Sequence, residues 1–300
     1  MGCVVDGCPA GLEISINEIE EELSRRRPGS AYGSRDETDT PEILSGVFEG
    51  KTLGTPIAII VRNKNQNSSD YDKLKDIYRP SHADFTWQAK YGFRDHRGGG
   101  RSSGRETLSR VAAGAIAKKF LSLHGIKITA QSPAAPDIEK LRAEGDSAGG
   151  IISCTVTGVP SGLGEPVFDK LDARLAAAVI SIGACKGIDF GAGFNSADMK
   201  GSEYNDQPSE KGKGEYATNN SGGILGGIST GQEIFFKAAF KPTPSISKKQ
   251  KAYDKNGNIQ EIEINGRHDA CIVPRAVVVV EAMTALVLAD FLLLSRVSRI

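Results

Sequence analysis

The sequence predicts an α+β fold of one domain built twice about an internal pseudo-twofold axis, the halves covering about residues 1–145 and 146–300. Two echoes and a shared order of segments predict it. The pattern V-x-G-x-P-x-G-L at 5–12 returns at 156–163, and Gly46, Gly50, Gly54 and Ile57 return with the same spacing as Gly223, Gly227, Gly231 and Ile234. Each half then runs through a long polar, basic loop into a long apolar helix, the signature of a duplicated unit.

Residues 4–12 are a short apolar piece entering a Pro/Gly turn. A helix follows from about Asn17, with Glu18, Glu20, Glu21 and Glu22 early and Arg25, Arg26 and Arg27 late. That charge order complements the helix dipole, and Pro28-Gly29 stops the helix. The three arginines suit a C-terminal charge cap and an anion site equally well. Residues 43–48 and 56–61 read as strands around Gly50 and Gly54, and 63–80 as a polar loop of a length that is usually functional or disordered. It leads into Tyr78-Arg79-Pro80-Ser81-His82-Ala83-Asp84 and then Trp87, Lys90 and Tyr91. Among four histidines, His82 has the best functional case, His96 fits a turn or an anion, and His124 beside Gly125 fits a helix C-cap. A helix is expected over 108–123, a short polar one near 138–143 and a strand over 151–158. The apolar run 276–294 reads as a buried core helix, because Glu281 and Asp290 lie inside it and an Asp at mid-membrane costs roughly 2.5–3.5 kcal/mol.

The chain has 300 residues, 39% apolar and 25% charged, enough for a substantial core. Its 37 basic residues balance 37 acidic ones and aromatics are only 6%, which argues against nucleic acid and for a small partner. The five cysteines are scattered without a C-x-x-C pair, against a zinc site or disulfide scaffold and for a reducing cytoplasm. Neither a signal peptide nor a myristoylation pattern is read at the N-terminus.

Residues 94–107 read R-D-H-R-G-G-G-R-S-S-G-R-E-T: four arginines, hydroxyl donors, glycines that permit close backbone approach, and then a helix start. That combination suits anions, yet it matches neither a P-loop nor a Rossmann turn. The corresponding place in the second half is Asn265-Gly266-Arg267-His268-Asp269, just before the last helix, so both loops are expected to meet at one cleft. Gly183-Ala184, residues 219–227 and Lys241-Pro242-Thr243-Pro244-Ser245 add small residues, amides and a lysine.

Residues 78–84, 90–107, 161–169, 222–228, 241–243 and 266–269 together resemble chorismate synthase, in order and over nearly the whole chain. The resemblance implies a β-α-β sandwich with helices between two sheets, assembled as a homotetramer in the cytoplasm. It also implies the shikimate-pathway lyase reaction, in which 5-enolpyruvylshikimate 3-phosphate loses phosphate and a ring proton by anti-1,4 elimination. The cofactor implied is reduced FMN, supplied by an external flavin reductase or by NADPH-dependent reduction, with no metal, nucleic acid or membrane partner. By the same resemblance His82 and Asp269 would be catalytic. Arg101, Ser102, Ser103, Gly183, Ala184, Asn219, Gly226, Lys241, Pro242, Thr243, Pro244, Ser245 and Arg267 would hold the flavin, and Arg26, Arg101, Arg105 and Arg267 the substrate. Departures accompany it, one of them an abbreviated segment between Gln131 and Gly145. A Gly-Glu-Ser-His-Gly strand usual before the Pro/Gly turn is absent from the sequence, Arg35 alone stands where a second substrate arginine is usual, Gly183 replaces a frequent asparagine, and Ala270 a usual proline. An N-terminally truncated homologue that binds FMN or anions with little turnover is the alternative expectation.

Overall fold

The computed structural model describes residues 1–27, 39–63, 74–96, 102–132, 137–210, 212, 215–264 and 269–298. In chain order these form β1 (Gly2–Val5), α1 (Ile16–Arg25), β2 (Pro41–Ile43), β3 (Val47–Phe48), β4 (Lys51–Thr52), β5 (Ile57–Val61), β6 (Ile77–Tyr78), α2 (Asp84–Tyr91), α3 (Thr107–Ser122) and β7 (Lys127–Gln131). There follow α4 (Ile138–Ala143), β8 (Gly150–Thr157), α5 (Leu171–Ile180), β9 (Cys185–Phe190), α6 (Gly201–Tyr204), β10 (Ile224–Leu225), β11 (Ile228–Ser229), β12 (Ile234–Phe240), β13 (Gln250–Asp254), β14 (Ile259–Ile262) and α7 (Val273–Leu294). The class is mixed α+β, as expected.

Two antiparallel sheets, ordered β1-β5-β2 and β7-β8-β12-β9, carry the core. Helix α3 packs on β1 and β5, α7 on β7 and β8, and the two helices on each other. They meet at Gly114, where a Cβ would stand 2.3 Å from the Cβ of Ala282, so only hydrogen fits at the crossing. Period-2 burial along β5 and β12 turns Ile57, Ile59, Val61, Ile234, Phe236 and Ala238 inward. Each such large aliphatic or aromatic side chain contributes about 1.5–3 kcal/mol on burial. Helix α1 starts at a capping box, Ser15 Oγ accepting the Glu18 N–H and Glu18 accepting the Ser15 N–H, and buries Ile19 and Leu23.

The two sequence echoes occupy matching geometry. Val5 pairs with Ile57 across β1–β5, and Val156 with Ile234 across β8–β12. The Thr52 hydroxyl donates to Pro9 O at 2.6 Å and accepts the Leu12 N–H at 2.9 Å. The Ser229 hydroxyl donates to Pro160 O at 2.7 Å and accepts the Leu163 N–H at 2.9 Å. Hairpins β3–β4 and β10–β11 both turn through two residues of positive φ, Glu49-Gly50 and Gly226-Gly227, the turn that matches strand twist.

Three local differences from the sequence reading have identifiable causes. The strand expected over 43–48 divides into β2 and β3, because Gly46 sits at φ +80° against Ile57. Helix α2 was not expected; its hydrophobic periodicity is weak, and the readable sign was Gly92, its C-cap at φ +69°. In α7, Glu281 is not stranded in an apolar run. Its carboxylate accepts from Arg25 at 2.7 and 2.9 Å, from Lys118 at 2.5 Å and from the Ala130 N–H at 2.9 Å, while Asp290 is exposed beside Arg174. By length and composition α7 alone among the described helices is long and apolar enough to cross a membrane; 61% of its apolar window is buried in the protein.

Candidate active site

Helices α3 and α7 begin at the same cleft. The cleft, about 250 Å³, is lined from the first half by Arg26, His82, Ser103, Gly104, Arg105 and Thr107. From the second half come Ile182, Gly183, Thr243, Pro244, Ser245, Asp269 and the opening turns of α7 with Ile272, Arg275, Ala276 and Val279. Both helix N-termini thus add the positive end of a dipole to its cations. Nine residues expected from the sequence come together here: Arg26, His82, Ser103, Arg105, Gly183, Thr243, Pro244, Ser245 and Asp269. His82 also lines an adjoining groove of about 640 Å³ with Tyr78, Phe85 and Tyr253.

The cationic wall is tied together by buried acids. Arg26, 3% exposed, donates from Nε to Thr107 Oγ1 at 3.0 Å and from Nη2 to Gly104 O at 3.2 Å. Asp39, 1% exposed, accepts from Arg105 at 2.7 Å and lies 3.7 Å from Arg26. One carboxylate therefore offsets two adjacent guanidiniums. Ser103 caps the short turn before α3, its Oγ accepting the Arg105 N–H at 3.3 Å.

His82 stands at the end of a second network. Asp84 accepts from Arg79 at 2.7 and 3.1 Å and from Arg94 at 3.2 Å, and its Oδ1 lies 3.0 Å from His82 Nδ1. Burial pushes the Asp84 carboxyl up, but His82 and the Arg79 guanidinium outweigh it and hold the group well below the usual carboxylate range. Arg79 Nη1 reaches Ser245 Oγ at 3.4 Å, which links this network to the 241–245 loop. The sequence stretch around His82 contained Arg79 and Asp84, but nothing in it announced that Arg94 would return to the same carboxylate.

The opposite wall is set by backbone contacts. The Lys241 N–H donates to Ala184 O at 2.9 Å, and Ala184 takes a positive φ of 70°. Lys241 and Ala184 thereby sit directly behind Gly183 and Thr243. Burial, with Lys186 nearby, lowers the Lys241 ammonium from its ordinary range. Thr243 Oγ1 donates to Asp269 O at 3.0 Å, and the Asp269 carboxylate pairs with Arg275. Arg275 and Thr107 were missed from sequence; one hides in the apolar start of α7 and the other behind the arginines.

Not every expected residue lines the cleft. Asn219 accepts the Gly223 N–H at 2.7 Å and donates to Glu233 O at 2.8 Å, holding the β10–β11 hairpin, and Gly226 is in that hairpin's turn. Ser102 and Pro242 flank lining residues without lining it themselves. Arg101, Arg267 and Arg35 lie outside the described residues. Among the described residues no cluster of three metal-type ligands occurs.

The comparisons agree on one family. A family model described as chorismate synthase matches residues 1–135 and 131–293. A chorismate synthase of Maridesulfovibrio salexigens is 49% identical over 328 residues, covering 99% of this chain and 93% of that protein. One from Lachnoclostridium phytofermentans is 52% identical, covering 98% of this chain and 90% of the relative. A solved structure, described as a crystal structure of chorismate synthase, superposes with a TM-score of 0.74 at 32% identity. The match covers 98% of this chain and 88% of the other.

Proposed function

The chain belongs to the chorismate synthase family and is an enzyme of that activity, and we propose that the cleft at the starts of α3 and α7 is where its reaction takes place. The convergence of nine residues expected from the sequence on one cleft carries this reading. The substrate, 5-enolpyruvylshikimate 3-phosphate, brings a phosphate and two carboxylates. Arg105, Arg26, Ser103 and the two helix N-termini answer that charge with donors fixed before the substrate arrives.

The family uses reduced FMN, and this cleft suits it. Ile182, Ile272, Ala276 and Val279 form an apolar wall for a planar ring, and Ser103, Thr243, Ser245 and the arginines supply donors for its polar edge. When bound, reduced FMN would lend electron density while the allylic C–O bond to phosphate breaks. Asp269 takes the ring proton as general base, and the C–H electron pair becomes part of the new diene as the phosphate leaves with the C–O pair. His82, its position set by Asp84, would lie against the ring of bound flavin and supply or hold a proton there. Asn219 and Gly226, remote from the cleft within one chain, complete a flavin pocket in this reading only through assembly. We place the enzyme in the cytoplasm as a homotetramer fed with reduced flavin by a separate reductase. We read the fold as a duplicated β-α-β sandwich, a reading supported by the paired Thr52 and Ser229 hydroxyl bridges.

Anaerobic phosphate release and chorismate formation from the substrate with chemically reduced FMN test the reading. Asp269→Ala is expected to bind FMN normally and lose turnover by about 10²-fold or more. Unchanged turnover in that variant removes the base assignment, and FMN binding without any turnover by the unmodified chain favours a non-catalytic homologue.

A further inference from the structure

Among the described residues lining the cleft Asp269 is the one acid, and it is held at two points, by Thr243 and by Arg275, which the sequence did not single out. Its backbone oxygen accepts from Thr243 Oγ1 at 3.0 Å. Its carboxylate faces the Arg275 guanidinium, with Nε 2.9 Å from Oδ2 and Nη2 donating to Oδ1 at 3.4 Å. Both side chains are mostly buried, at 20% and 13% exposure, so solvent screens the pair weakly. Arg275 sits in the first turn of α7, where its own N–H donates to Ile272 O at 3.0 Å. The guanidinium is therefore carried by a rigid element, while Asp269 lies on the segment leading into that helix.

We propose that Arg275 is a positioning residue for the reaction: it keeps the Asp269 carboxylate ionised and turned to the cleft, in the orientation from which it takes the ring proton. This rests on the reading of Asp269 as the base. The guanidinium holds the carboxylate by charge and by the hydrogen bond from Nη2, and a base misplaced by about 1 Å costs on the order of 10²-fold in rate. A cation placed over the base also lowers its basicity. Readiness and aim, on this reading, outweigh base strength at the cleft. Among the described residues, the charged and titratable groups around Asp269 are Arg275 on its own side, Arg26, Arg105 and His82 across the cleft, and the Cys271 thiol two residues on. Arg275 is paired with the carboxylate.

The test compares Arg275→Met, Arg275→Lys and Asp269→Asn in anaerobic turnover with chemically reduced FMN across pH 4–8, with FMN and substrate affinities measured alongside. The sign follows from charge. Without the guanidinium, Asp269 protonates at higher pH, so the acid limb of kcat moves up by about one pH unit. The value of kcat at the plateau falls about tenfold, while KM and FMN affinity stay within about twofold. Arg275→Lys restores the position of the acid limb and only part of kcat. An acid limb that does not move in Arg275→Met overturns the proposal, since a purely structural arginine would lower kcat or stability at every pH alike. Should Arg275→Met not fold, Arg275→Gln takes its place under the same criterion: an acid limb that moves up supports the proposal, and one that does not move overturns it. Asp269→Asn separates the two levels. If it turns over as the unmodified enzyme does, the base assignment has failed; if it is inactive while Arg275→Met keeps its limb, only the role of Arg275 has.

Discussion

Removing one hydroxyl from each half of the chain probes the proposed duplication quantitatively. Thr52 and Ser229 are both 3% exposed, and each side-chain oxygen donates once and accepts once, joining its hairpin to the Pro/Gly turn beside it. Thr52→Val and Ser229→Ala delete both bonds and change little else. Each hydrogen bond is worth about 1 kcal/mol net, and the buried leucine N–H and proline carbonyl left behind add desolvation of about 1–3 kcal/mol, partly relieved by water. The expected loss is about 2–4 kcal/mol at each position, the two values agreeing within about 1 kcal/mol. Urea unfolding followed by far-UV circular dichroism measures it, at one fixed protein concentration because assembly contributes to stability. A loss below about 0.5 kcal/mol at either site, or values differing severalfold, would refute the claim that the two bridges do the same work in two copies of one unit.

Other perturbations have equally definite outcomes. In Glu281→Gln the amide meets only donors, from Arg25, Lys118 and Ala130, and the expected cost is about 3 kcal/mol at pH 7 in the same unfolding assay. Burial raises the Glu281 carboxyl, but Arg25 and then Lys118 bring it below its ordinary value of 4.5. A depressed acid stabilises fully above its unfolded value, so the gap between the two proteins should hold above about pH 4.5 and close as the pH falls through the folded value. A gap that is already closing at pH 6 would contradict this. Gly114→Ala should lower the melting temperature although alanine favours helix by about 1 kcal/mol, because its Cβ would lie 2.6 Å from the Cα of Ala282 and force the helices apart. Gly201→Ala, where nothing lies within 4 Å, is the control and should leave the melting temperature unchanged.

Much of this architecture could be read from spacing because its causes are local. Glycines at positive φ fix both hairpins, and their seven-position echo put Gly50 and Gly227, Ile57 and Ile234 into equivalent places. The α4 helix and the long apolar α7 were legible for the same reason, one from its polar periodicity and the other from its uninterrupted hydrophobic run. Long-range partners were not. Nothing near Glu281 in sequence says that Arg25, Lys118 and Ala130 will enclose it, and nothing near Arg105 points to Asp39. The cleft was legible as a list of small and cationic residues and as the meeting of two loops. The acid behind its arginines, Asp39, and the guanidinium of Arg275 were invisible because pairing depends on which elements the fold brings side by side.

The order of strands within the two main sheets also bears on how the chain comes to be folded at all. Two inner strands, β5 and β12, each pair on one side with a segment made long before, β1 roughly 50 residues earlier and β8 roughly 80, and on the other side with a nearer one, β2 or β9. Such pairings must close a wide loop before any contact repays the lost entropy. Until they do, β1 stays unpaired and β8 is paired only with β7, so each keeps an open edge. Slow, multi-phase refolding and a need for dilute conditions or chaperone cover are the expected behaviour, set by topology rather than by any single residue.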